Sequence, residues 1–129
     1  MSREYKSMYE ASYGDIVRGG LVFLGDIALD VECYDYDRGG VFYDPSSGKF
    51  HVEQCSGCSC TSPWDDIDDG HGPSSPPTNL AETLNAVRKW VWGYNDSTPT
   101  PGHFLDAREG LIRGVQDFYR AEKLRSRNG

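Results

Sequence analysis

Val41-Phe42-Tyr43-Asp44-Pro45-Ser46-Ser47-Gly48-Lys49-Phe50-His51-Val52-Glu53 is the stretch on which the fold turns. Two short runs of aromatic and β-branched residues flank a segment carrying Pro45 and Gly48, where a tight hairpin loop wants them. The reading is an antiparallel β-hairpin. A hairpin alone is marginal in water, so further strands and a covering layer must be found on either side.

Upstream, Gly19-Gly20 opens the apolar run Leu21-Val22-Phe23-Leu24, expected as a buried strand that Gly25 punctuates. Residues 27–36 then alternate. Ile27, Leu29, Val31 and Cys33 share one face, with Asp30, Glu32 and Tyr34 on the other, the period of a half-buried strand. Asp37-Arg38-Gly39-Gly40 is expected as the turn leading into the hairpin. Residues 1–20 carry Tyr5, Met8, Tyr9 and Tyr13 in a weak pattern that suggests a short helix.

Downstream, residues 70–77, Gly-His-Gly-Pro-Ser-Ser-Pro-Pro, hold no regular structure and read as a linker. A first helix is expected over about 80–92. Asn79 is its N-cap, Glu82 completes a capping box, and Leu80, Leu84, Val87 and Val91 make one apolar stripe. A second helix is expected over about 103–125, with Phe104, Leu111, Val115 and Phe118 aligned and Leu105, Ile112 and Tyr119 beside them. Lys123 and Arg125 near its end suit the negative pole of the helix dipole, and Gly110 and Gly114 are expected to permit close packing. The fold class is therefore α+β, in one domain over 1–129. It has a β-rich part at about 20–69, a linker at about 70–78 and a helical part at about 79–126. A small antiparallel sheet of three to five strands is covered on one face by the two amphipathic helices.

The charge excludes several functions. Twenty acids against thirteen lysines and arginines leave a net charge of −7. The excess is local: residues 31–76 hold nine acids against only Arg38 and Lys49. A nucleic-acid partner needs a basic surface, and so does an anionic bilayer, so neither is expected. The amino terminus lacks the apolar core of a secretory signal, and the strongest apolar run is far short of a membrane span. The expected location is the cytoplasm, where the four cysteines are reduced thiols.

The most distinctive chemistry is Cys55-Ser56-Gly57-Cys58-Ser59-Cys60, followed by Thr61-Ser62-Pro63-Trp64-Asp65-Asp66. Together with Tyr34-Asp35-Tyr36-Asp37, Val41-Phe42-Tyr43 and Gly48-Lys49-Phe50, this is similar to a family of uncharacterised actinobacteriophage proteins. Their pattern reads Ser-Gly-Cys-Ser-Cys-Pro-x-Pro-Phe-Glu, preceded by Tyr-x-Phe-Asp and Gly-x-hydrophobic-Tyr. Thr61, Trp64 and Asp65 stand here where the pattern has Pro, Phe and Glu, and Cys33 and Cys55 lie outside it. The resemblance spans about a quarter of the chain. It implies a phage protein acting in the cytoplasm of a bacterial host, and it implies no reaction.

Three chemistries are open to these residues. Cys55, Cys58 and Cys60, with Cys33 or alternatively His51 as a fourth ligand, fit the donor types of a structural zinc site, though no second Cys-x-x-Cys pair accompanies them. Set against that is a tight turn in which the sulfurs pack as small apolar groups, and this is the reading preferred, with no cofactor expected and zinc the alternative. Cys58 or Cys60 with His51 would make a thiol nucleophile, but no oxyanion hole or protease signature accompanies them. The acidic run Asp65, Asp66, Asp68 and Asp69 lacks the ligand spacing of a calcium loop. With Trp64 it is expected to meet a partner protein, of host or phage, as an acidic and aromatic patch. The expected function is accordingly a non-catalytic accessory protein that works by binding another protein, with no catalytic residues.

Overall fold

A computed structural model describes residues 16–31, 35–58, 63–93 and 99–128, and all structural statements concern these. Four strands form one antiparallel sheet in chain order: β1 (Ile16–Arg18), β2 (Leu21–Ala28), β3 (Asp35–Asp44) and β4 (Lys49–Cys58). Three helices follow: α1 (Asp65–Asp68), α2 (Leu80–Arg88) and α3 (Gly102–Asn128). The α+β class expected from the sequence is the class found.

The hairpin forms where its turn residues require it. The ladder runs from Asp44↔Lys49 to Asp35↔Cys58. In the turn, the Asp44 carboxylate accepts from the Ser46 backbone N–H at 2.9 Å and from its hydroxyl at 2.7 Å. Those bonds, the hydroxyl first, hold the Asp44 carboxyl below its ordinary pKa. Gly48 takes a φ of 72°, which closes the turn at no steric cost.

The sheet is buried on both faces, and this explains the unbroken apolar run Leu21–Leu24. On one face Val22, Leu24, Ile27, Val41, Phe50 and Val52 meet Leu84 and Val87 of α2 and Phe104, Leu111, Ile112, Val115 and Phe118 of α3. On the other, Leu21, Phe23 and Phe42 meet Trp64 and Ile67. A bulge between Phe23 and Gly25 shifts the register of β2 against β3, and Gly25 sits there at φ 139°. Phe23 pairs with Phe42 before the bulge and Asp26 with Gly40 after it, so odd and even positions exchange faces.

Two expectations about the strands are corrected. Residues 37–40 are no turn: Gly39 and Gly40 lie inside β3, paired with Gln54 and Glu53. Their reason is packing. A Cβ on Gly39 would come within 2.6 Å of the Trp90 ring, and one on Gly40 within 2.7 Å of the Trp64 ring. Adjacent residues of a strand point to opposite faces, so the Gly-Gly pair seats one tryptophan on each side of the sheet. Residues 27–36 are likewise not one strand: β2 ends at Ala28, and Cys33 and Tyr34 fall outside the described residues.

The first helix stops at Arg88 rather than near 92. The chain leaves the helix so that Trp90 reaches Gly39, which leaves Val91, expected on the apolar stripe, 70% exposed. The capping box is as expected, with Asn79 accepting from Glu82 N–H and Glu82 accepting from Asn79 N–H. Gly110 has no neighbour within 4 Å of a Cβ position, so it serves no close packing. The expected short helix within 1–20 lies largely outside the described residues.

Candidate functional site

The second face of the sheet is built from polar groups as well as apolar ones. Asp26, Arg38, Gly40, His51, Glu53 and Cys55 follow Phe42 across it by strand alternation. The covering layer is α1 and the segment 69–78, which lies over the sheet instead of standing away from it. Phe50 and Thr78 exchange backbone bonds at 2.8 Å each way. Glu53 then accepts from Ser74 N–H at 2.9 Å, Ser74 hydroxyl at 3.0 Å and Ser75 N–H at 2.8 Å. Burial alone would raise the Glu53 pKa, but these bonds outweigh it and the carboxyl stays ionised below its ordinary range. The His51 Nδ1 lies 3.0 Å from the Ser75 carbonyl oxygen.

Around α1 the acids divide by role. Trp64, at φ 70°, is buried, stands edge-on to Phe42, and donates its indole N–H to Asp26 at 2.7 Å. Asp26 also accepts two bonds from the Arg38 guanidinium at 3.1 Å. Asp68 takes a bidentate pair of 2.8 Å bonds from Arg18, which raises the Arg18 pKa further and ties α1 to β1. Asp65, Asp66 and Asp69 are exposed. Of the patch expected from the sequence, then, the tryptophan is a core residue and one acid is a structural tether.

Between β4, α1 and residues 71–74 lies a cleft of about 610 Å³. Tyr36, Cys55, Trp64, Asp65, Asp66 and His71 line it, with Gln54 and Ser56 at the strand side, and among the described residues no lysine or arginine lines it. A second hollow of about 450 Å³ is lined by Asp30, Asp35 and Asp37 and shares Ser56 with the first. The two acid-lined hollows thus adjoin at one end of β4. Sequence reasoning singled out Cys55, Trp64, Asp65 and Asp66 among these lining residues but not Gln54, Ser56 or His71. The missed signal was the length of β4, since only its first half was read as strand.

The expected metal ligands are distributed as follows. Cys55 is a half-buried free thiol packed against the Phe42–Trp64 cluster. His51 stands four residues back along the same strand, about 13 Å away at strand rise. Cys33 and Cys60 lie outside the described residues, and for Cys58 only the backbone is described. Among the described residues no three donor side chains gather around a metal-sized centre. Among them, too, no helix is long and apolar enough to cross a membrane.

No curated protein and no solved structure matches the chain. One family model does, and it covers residues 10–117, from ahead of β1 to the final turns of α3. The sheet, the acid-lined cleft and every buried core residue except Phe118 fall within that span, and the chain belongs to the family described as a domain of unknown function, DUF7574.

Proposed function

We propose that this chain is a phage-type accessory protein of the host cytoplasm that binds a host or phage protein and catalyses no reaction. The observation that supports this most is the state of four titratable groups on the second face of the sheet and at α1, of which Glu53 lines the cleft. Glu53, Asp26, His51 and Asp68 are each committed to a hydrogen bond or ion pair that holds the second face together. A general acid or base needs a proton it can exchange near neutral pH, whereas Glu53 is held ionised. Asp65 and Asp66, both exposed beside the cleft, offer a recognition surface of one sign, suited to steering a basic partner.

The test is affinity capture from infected and uninfected host lysates, with wild type beside an Asp65→Lys/Asp66→Lys double variant. The expected result is a discrete partner retained by wild type and lost by the variant. Equal capture by both proteins, or no partner in either lysate, sinks the reading.

A second reading keeps the zinc ion. It is supported by the order of the sequence: Cys33 stands two residues before Asp35, the first of β3, and Cys60 two residues after Cys58, the last of β4. The donor types there suit zinc. If zinc is structural, chelator lowers the melting temperature and purified protein carries about one equivalent of metal, because binding energy is then folding energy. A metal content below about a tenth of an equivalent ends this reading.

A further inference from the structure

We propose that the outer edge of β4, from Val52 to Ser56, takes an extended, lysine- or arginine-bearing segment of a partner protein as a fifth strand. The inference deepens the binding function above by naming where and how the partner docks.

β4 is the last strand of the sheet, so among the described residues one side of it has no strand neighbour. Phe50 points both backbone groups outward to Thr78. In an antiparallel ladder outward residues alternate, so Val52, Gln54 and Ser56 point outward as well. Residues 69–78 begin to cover this edge and then leave it. Continuing the Phe50↔Thr78 register would set Pro76 opposite Val52. Proline has no N–H to donate, and the chain instead crosses onto the face, where Ser74 and Ser75 bond Glu53. Among the described residues no backbone partner meets the outward groups of Val52, Gln54 or Ser56. Gln54 and Ser56 are exposed.

An edge of this kind is a template for strand addition. Its surroundings choose the occupant. Ser56 borders both hollows, one holding Asp65 and Asp66, the other Asp30, Asp35 and Asp37, and among the described residues no lysine or arginine lines either. Side chains of an added strand project alternately to the two sides, so basic residues at both parities meet carboxylates. A second copy of this chain would bring the same acids against their like, which disfavours self-pairing.

The experiment uses the full chain, isotope-labelled for backbone amide spectra. The probes are a blocked octapeptide of alternating lysine and valine, the same peptide with glutamate for lysine, and the lysine peptide N-methylated at alternate residues. The lysine peptide is expected to shift and protect the amides of Val52, Gln54 and Ser56. The glutamate and N-methylated peptides are expected to bind at least about tenfold more weakly. Gln54→Pro, which removes an outward N–H and fixes φ at a position where edge strands tolerate proline, is expected to weaken the lysine peptide by a similar factor. The proposal is overturned if the lysine peptide leaves these amides unmoved at millimolar concentration. It is overturned equally if N-methylation makes no difference, or if the three amides are already protected in a concentration-dependent dimer. Because the capture experiment is run on Asp65 and Asp66, a partner that still binds Gln54→Pro would defeat strand addition alone and leave the binding function standing.

Discussion

Gly39→Val is expected to destabilise the protein by about 3 kcal/mol, the upper range for forcing atoms into a packed core. The new Cβ would stand 2.6 Å from Cη2 and Cζ2 of Trp90. That ring is only 5% exposed and packs with the core under α2 and α3, so it has no room to withdraw. Valine's preference for strands opposes the effect but is worth at most about 1 kcal/mol. Urea unfolding of wild type and variant measures the difference. Gly110→Ala is the control of opposite sign: it sits in α3 with nothing within 4 Å, and should gain about 0.5–1 kcal/mol of stability. Combining Gly39→Val with Trp90→Leu should cost less than the two changes added, since the smaller side chain vacates the space. A Gly39→Val midpoint equal to wild type would mean that the ring does not lie on the strand.

The second large effect is expected at Glu53. Glu53→Ala strips the acceptor from two backbone N–H groups and a hydroxyl, and should destabilise by about 2–3 kcal/mol. Glu53→Gln keeps the volume but turns an amide donor toward the serine N–H groups, with a smaller loss of about 1–2 kcal/mol. The pH dependence separates charge from shape. Because the folded protein holds Glu53 below its ordinary value of 4.5, its stabilisation is complete above that pH and is lost as pH falls through the lower folded value. Asp44 acts with the same sign below 3.8. Wild type should therefore lose stability on acidification more steeply than Glu53→Gln, which retains only the Asp44 contribution of this pair. Identical acid slopes would show that the carboxylate is not what anchors Ser74 and Ser75.

How much of this was legible follows from how local each signal is. The hairpin and α3 could be read because their cues lie within a few residues: Asp44, Pro45 and Gly48 for the turn, and the spacing of Phe104, Leu111, Val115 and Phe118 for the helix. The capping box of Asn79 and Glu82 was legible for the same reason. Gly39-Gly40 misled because a pair of glycines signals a turn unless a ring from elsewhere in the chain needs the space. Trp64 lies 24 residues from Gly40 in the sequence and Trp90 lies 51 from Gly39, and no local pattern announces either contact.

The sequence by itself determined an antiparallel sheet followed by amphipathic helices, a strongly acidic middle and the place of the hairpin turn. Periodicity and turn chemistry are properties of neighbours along the chain. Only the tertiary structure decided that residues 69–78 close the second face rather than link two parts, that Trp64 is core and not surface, and that β4 keeps an open edge between two acid-lined hollows. Those outcomes depend on which distant groups satisfy Glu53, Asp26 and Phe50, and a buried polar group takes its partner from whatever the fold brings within hydrogen-bond reach.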